Sequence, residues 1–351
     1  MTTTSAAGLL TSSDLVDDRL GVCVSTVESR AATIYDVARR AGVSKSTASR
    51  VLTGQQRVSP EAVEQVKRAA VELGYVRNPA ALAMSTSNGT RVVIGVVSPR
   101  SQLVVDDYLC RVVATAARVC AAERIGVGLE AFALNGPDSF DPLARDPTVH
   151  GVLLINTTES VLNAVDHRFA GRVVSIGVGS NLVPAIDVDN YLGARAIMCR
   201  LVDSGRRRIA MVTGPRWMPC LDRMTRAYTQ VMSAAGLPKR TVVGGFTAES
   251  GQRATDAILR RWPDVDAVFA VCDATALGVI ATLRARHIDV PGDVAVAGFD
   301  DTELAYYAEL TTATHPVEAI AEAATRAVLA ARATRPPDMY FPSQLVARRT
   351  A

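Results

Sequence analysis

From Thr33 the apolar positions keep a helical rhythm. Ile34, Val37, Ala38 and Ala41 recur at i, i+3, i+4 and i+7 and form one stripe. Thr33 and Asp36 frame its start as a capping-box-like pair, and Gly42 stands where a left-handed residue closes a helix. Ser44 is placed to cap a second short helix with Ala48, Val51 and Leu52 facing inward. A third is predicted from Ser59-Pro60-Glu61: a cap residue, proline at the first helical position, an acid in the first turn. Its predicted buried stripe is Val63, Val66, Ala70 and Leu73, and Gly74 ends it.

From Val92 the rhythm changes to short β-branched runs. Val92–Val97, Gly126–Phe132, Gly151–Ile155, Arg172–Ile176, Arg208–Val212, Thr241–Phe246, Ala267–Val271 and Val294–Gly298 read as strands. Amphipathic stretches such as Asp107–Glu123, Gly193–Asp203, Arg226–Ala235, Gly251–Arg261 and Ala274–Arg286 lie between them. Such alternation builds parallel, doubly wound sheets. A body of about 260 residues exceeds one such sheet, so two lobes are expected.

Charge separates the two regions. The 351 residues carry a net charge of only +3, but residues 33–90 hold eight basic side chains against four acidic ones. Two short helices joined by a tight glycine turn, the second presenting Lys45, Ser46, Thr47, Ser49 and Arg50, suit a helix-turn-helix. Small side chains let that helix approach the major-groove floor, and Lys and Arg donate to guanine acceptors. An ordinary small helical bundle is the alternative. The first thirty-two residues are Ser/Thr-rich with scattered acids and no long apolar run. They read as a disordered leader, not a secretory signal.

Enzyme signatures are missing. Gly126-Val127-Gly128 lies at a helix-to-strand junction, and Gly177-Val178-Gly179 has Leu182 at its third position, so neither is a dinucleotide fingerprint. No P-loop or G-x-S-x-G elbow occurs, so no catalytic residue and no cofactor is expected. The histidines at 150, 167, 287 and 315 lack metal spacing and read as surface or core fillers, leaving no metal site. No two of the six cysteines form a C-x-x-C clip, which fits reduced thiols in the cytoplasm. No apolar run approaches membrane-spanning length.

Residues 33–75 contain Thr-Ile-Tyr-Asp-Val-Ala, Ala-Gly-Val-Ser, Ser-Arg-Val-Leu and a closing Leu-Gly-Tyr. In order and spacing this resembles the DNA-binding head of the lactose-repressor (LacI/GalR) family. The resemblance continues in Asp187-Val188-Asp189-Asn190 with Gly193-Ala194, in Leu201 to Arg208, and in Cys272-Asp273-Ala274-Thr275-Ala276-Leu277-Gly278. It ends with Val290 to Asp301, Leu310 to Pro316, and a terminal strand within 341–350. It implies an all-α helix-turn-helix head and an α/β, periplasmic-binding-protein-like body of two doubly wound parallel-sheet lobes. The implied division is a leader at 1–32, a helix-turn-helix domain at 33–78, a hinge helix or plain linker at 79–91, and an effector-binding and dimerisation domain at 92–351. Within the last, one lobe takes about 92–188 and 317–338, the other about 189–316 and 339–351.

The implied function is a sequence-specific transcriptional repressor on double-stranded operator DNA, near-palindromic because the protein is a homodimer. No heptad segment follows the last strand, so a tail-joined tetramer is not expected. A nucleoid-associated protein in the cytoplasm, away from membranes, is implied. Lys45, Ser46 and Arg50 would contact base edges, and Thr33, Tyr35, Ser44, Thr47, Ser49 and Ser59 backbone phosphates. Asn78, Ala81 and Met84 would reach DNA from the hinge, Met84 occupying the slot of a minor-groove leucine wedge. A small-molecule effector, sugar or nucleoside-like, would lie between the lobes. Asp273 at a strand end is the leading contact, with helix capping as its other reading. Arg223, Trp217, Ser98 and Asp107 are further candidates, Trp217 equally suiting lobe packing. A transporter's solute-binding protein would lack the head, and a Rossmann enzyme would need the absent fingerprint.

Overall fold

The computed structural model describes residues 32–54, 58–76, 89–99, 106–134, 140–330 and 335–351. The chain divides into two compact units on either side of the Arg77–Asn78 bond.

The first unit is three helices, α1 (Ile34–Arg40), α2 (Lys45–Thr53) and α3 (Pro60–Glu72). Each has the predicted start. Thr33 Oγ1 accepts from the Asp36 N–H while Asp36 Oδ2 accepts from the Thr33 N–H at 3.0 Å, completing a capping box. Ser44 and Ser59 cap the other two through the N–H groups of Thr47 and Ala62. The turn residue Gly42 has φ 64°, which favours glycine there. The core is Val37, Ala38, Ala41, Ala48, Val51, Val66 and Ala69. One expectation fails: Leu73 is exposed, because α3 turns Ala69 inward and ends at Glu72.

The second unit runs β1 (Arg91–Ser98), α4 (Asp107–Ala122), β2 (Gly126–Ala133), α5 (Phe140–Arg145), β3 (Val149–Ile155), α6 (Glu159–Asn163), β4 (Val173–Ile176), β5 (Ile186–Val188) and α7 (Asn190–Asp203). It continues with β6 (Ile209–Thr213), α8 (Asp222–Ala234), β7 (Arg240–Val243), α9 (Ala248–Arg261), β8 (Ala267–Ala270), α10 (Asp273–Ala285) and β9 (Ala295–Ala297). The last elements are α11 (Glu303–Tyr307), β10 (Thr312–Ala313), α12 (Val317–Leu329), β11 (Met339–Phe341) and β12 (Leu345–Val346). All eight predicted strands are present. They form two four-stranded parallel sheets, ordered β2-β1-β3-β4 and β7-β6-β8-β9. Every residue of β3 and of β8 is buried, as expected for strands covered on both faces. Helices α9 and α10 touch backbone to backbone: a Cβ on Gly278 would meet the Ala248 carbonyl at 1.9 Å. The glycine in Asp-x-x-x-x-Gly is therefore a packing requirement.

Three chain passages join the lobes, near Asp189, near Thr314–Pro316 and at 342–344. They bond to each other: the Asp189 N–H donates to Phe341 O at 2.7 Å and the Thr314 N–H to Gln344 O at 2.8 Å. The expected second return to the carboxyl-terminal lobe at 339 comes later. Met339–Phe341 pairs in parallel with Ile186–Val188, extending the amino-terminal lobe's edge. The short stretch of β11, without alternating apolar residues, gave no strand signal. The terminal strand expected over 341–350 is likewise only Leu345–Val346, paired with Thr312–Ala313.

Candidate operator-reading face and interlobe cleft

On the head, capping exposes one face of α2. Lys45, Ser46 and Arg50 are all exposed, and no ion pair to a described residue holds Arg50. Lys45 Nζ donates to the Tyr35 hydroxyl at 2.8 Å and lies 4.4 Å from that ring's centroid, so α1 and α2 present a joint surface. The Ser44 hydroxyl lies 2.8 Å from those of Ser46 and Thr47. Thr47 and Ser49 are half-buried, Thr33 is committed to Asp36, and Ser59 is exposed at the start of α3. The structure thus gathers Tyr35, Ser44, Lys45, Ser46 and Arg50. Asn78, Ala81 and Met84 lie outside the described residues.

In each sheet of the body the connections run opposite ways from the central pair, β1/β3 and β6/β8. The crevice outside the carboxyl ends of such strands is where doubly wound sheets hold ligands. A cavity of about 200 Å³ opens there, between the two lobes. The amino-terminal lobe contributes Asp106, Asp107, Tyr108 and Arg111 around the start of α4, Asn156 after β3, and Asp187 on β5. The other lobe contributes Met218, Cys220, Leu221, Met224 and Phe246, with Val271 and Cys272 after β8 and Phe299 and Asp300 after β9. His315 and Val317 enter from the second passage. Asn156, Asp300 and Asp301 have φ of 60°, 114° and 52°, local strain of the kind found at functional sites.

Of the expected effector contacts, Asp107 lines this cavity. Asp273 does not. It is wholly buried, its Oδ1 accepting from Thr312 Oγ1 at 2.6 Å and its Oδ2 from the Thr302 N–H at 2.8 Å and Thr302 Oγ1 at 3.0 Å. A Cβ on Gly298 would strike Oδ1 at 2.4 Å. Both oxygens are thus used to bolt the Asp300–Thr302 turn in place. Burial, with Asp300 nearby, pushes its carboxyl up to about 7. Capping does not explain it either, since Cys272 is the cap residue of α10.

Arg223 is half-buried and turned to Asp187, with which it forms an ion pair across the lobes, and it donates to Gly177 O at 3.2 Å. It borders a shallower groove with Ser180, Arg335 and Tyr340. Burial outweighs Arg223 and His315, so the Asp187 carboxyl stays above its ordinary range. Trp217 is half-buried and off the cavity, where its neighbour Met218 takes the place. Ser98, at the end of β1, is buried and off the wall.

Asp300, Arg111, Asp187 and His315 escaped the sequence reading. Asp300 lies in the Gly298–Asp301 run and His315 in Leu310–Pro316, both legible as motifs, but neither motif says which member faces the cavity. His315 also corrects the view of every histidine as filler: its Nδ1 lies 2.9 Å from Asp300 Oδ1, and its Nε2 has no partner among the described residues. His150 is a filler, its Nε2 3.1 Å from Leu329 O. Arg111 is held by Glu318 through two bonds of 2.7 and 2.8 Å. Burial pushes the Cys220 and Cys272 thiols up to about 12, so both are neutral at pH 7. Among the described residues no group of three or more His, Cys, Asp or Glu could hold a metal, and no helix is long and apolar enough to cross a membrane.

The pattern of bacterial regulatory proteins of the lacI family matches residues 33–78, and that of the periplasmic binding protein-like domain matches residues 199–351. The HTH-type transcriptional regulator CelR of Thermobifida fusca is 33% identical over 341 residues, 92% of this chain and 98% of that protein. Catabolite control protein A of Priestia megaterium is 29% identical, over 84% of this chain and 90% of its own. The solved complex of the regulator CelR with cellobiose is 32% identical with a TM-score of 0.65, covering 91% of this chain and all of its own. A lac repressor dimer bound to operator and the anti-inducer ONPF shares the fold, with a TM-score of 0.78 at 22% identity over 92% of this chain and 99% of its own.

Proposed function

The chain belongs to the lacI family of bacterial regulatory proteins, and from that premise we propose how this DNA-binding transcriptional regulator works. It is not an enzyme. The head of each subunit in a homodimer sets α2 into the major groove of one half of a near-palindromic operator, where Lys45, Ser46 and Arg50 read base edges. Tyr35, Ser44 and the start of α3 hold phosphates. The interlobe cavity takes a small effector, of sugar or nucleoside size, that fits one lobe arrangement better than the other. That difference in affinity is what changes operator binding. Such a protein acts in the cytoplasm, on the nucleoid.

The observation that carries this reading is the coexistence in one chain of a capped, basic, exposed α2 and a cavity walled by both lobes. CelR, solved with cellobiose, offers an analogue for a ligand-bound body. Selection of bound fragments from the genome, followed by gel shift against salt, tests the head. Sequence-selective binding that weakens steeply with salt is expected. Binding without sequence preference would sink the reading.

A further inference from the structure

We propose that Tyr35 is a positioning residue for Lys45: its phenol holds the Lys45 ammonium and aims it, so that the base accepted at one operator position is set from α1 as well as from α2. This rests on the reading of α2 as the helix that lies in the major groove, and it says what fixes one of that helix's reading groups.

A lysine by itself is a poor reader of bases. Its charge sits on a four-carbon stem with many rotamers, and fixing them on DNA costs affinity and blurs direction. Here the stem is fixed beforehand. Lys45 Nζ donates to the Tyr35 hydroxyl at 2.8 Å and stands 4.4 Å from the ring centroid, so hydroxyl and ring face hold the same ammonium. Both backbones are pinned beside the contact. Tyr35 lies between Thr33 and Asp36, the two halves of the α1 capping box, and Lys45 directly follows Ser44, the cap of α2. Both side chains stay exposed, Tyr35 at 59%, so the pair faces outward and is not spent on the core.

The count of donors fits a base. An ammonium has three N–H groups. One goes to Tyr35, and two remain for O6 and N7, the two acceptors that guanine shows in the major groove. The phenol accepts from Lys45 and keeps its own proton to give. A backbone phosphate oxygen is the acceptor that DNA sets at the edge of the groove. Phosphate, phenol, ammonium and base then form one chain of hydrogen bonds. A contact that carries no sequence information fixes the direction of one that does. The neighbouring side chains of α2 are held differently. Ser46 Oγ lies 2.8 Å from the hydroxyl of the cap Ser44, and Arg50 has no hydrogen bond or ion pair to α1 among the described residues.

The test varies the DNA fragment selected by the full-length wild type one base pair at a time and measures binding by fluorescence anisotropy. Lys45→Met identifies the position that Lys45 reads. At that position Tyr35→Phe, which keeps the ring and loses the acceptor, should lower the base preference about threefold. Tyr35→Leu, which loses both, should lower it about tenfold. Preference at the position that Arg50→Ala identifies should not move. Adding Tyr35→Leu to Lys45→Met should flatten the Lys45 position no further, because groups that act as one unit are not additive. Uniform weakening at every position, with all preferences intact, makes Tyr35 a plain phosphate contact and overturns the proposal. So does an unchanged preference in Tyr35→Phe, or a Lys45→Met variant that reads the fragment as the wild type does. A wild type that selects no sequence would instead strike the broader reading of the head.

Discussion

In the head, the polar side chains that matter project from a frame of alanine and valine, held by helix caps and by the contact of Lys45 with Tyr35. In the body, most polar side chains around the cavity are tied to one another: Arg111 to Glu318, Arg223 to Asp187, Asp273 to Thr302 and Thr312. The first arrangement is mostly local in sequence: the cap partners are three residues apart, and Lys45 bonds Tyr35 ten positions away. The second joins residues up to about 200 positions apart, as between Arg111 and Glu318. A head can therefore change a contact without moving its core, whereas a change to one cavity carboxylate disturbs its partners.

Four substitutions would break or sharpen that contrast. The largest effect is expected from Asp187→Ala, which strands the Arg223 guanidinium between the lobes. Removing one partner of a buried pair should cost about 3 kcal/mol of body stability. Urea unfolding followed by the fluorescence of Trp217 and Trp262, both in the body, measures it, and a loss below about 1 kcal/mol would show the pair to be dispensable. Next is Arg50→Ala, expected to weaken selected operator binding roughly tenfold to a hundredfold while body unfolding stays as it was. Retained selectivity would mean that α2 is not the reading helix.

A subtler effect concerns Asp273. Its carboxyl is raised to about 7 in the folded chain, above its value when unfolded. The folded state therefore holds a proton that the unfolded state has released, and stability from this group falls as pH rises from about 4 to about 7. Subtracting the pH profile of the Asp273→Asn melting temperature from that of the wild type should leave this downward slope. A flat difference would remove Asp273 from that role. Smallest is Arg40→Ala, which breaks an exposed pair with Glu72 and should move stability by no more than about 0.5 kcal/mol. A larger loss, seen by far-ultraviolet circular dichroism, would show the head to depend on charge after all.

The same contrast explains what could be read before the fold was known. Caps, turns and the α2 surface were legible because Thr33, Gly42, Ser44 and Pro60 act on their neighbours. The strands were legible from β-branched runs, and their parallel order from the helices between them. The cavity was not. Asp273 has the right residue type at a strand end, yet Thr312, from a distant strand, takes up one of its oxygens. Asp300, two residues before Thr302, faces the cavity because that turn is bolted at Asp273 and strained at Asp301. No spacing in the sequence distinguishes two such aspartates. Arg223 could be named but not placed, since its partner is Asp187 on the other lobe.

The three passages between the lobes are bonded in a row, the one at 342–344 in the middle. A plate held by one strap can twist and tilt in any direction. One held by three straps side by side is left a single easy rotation about the line they share. If the cavity is the effector site, what its occupant conveys is thereby reduced to one quantity, an angle of closure. Two molecules of unlike chemistry that set the same angle deliver the same message, and a molecule that binds without changing it delivers none.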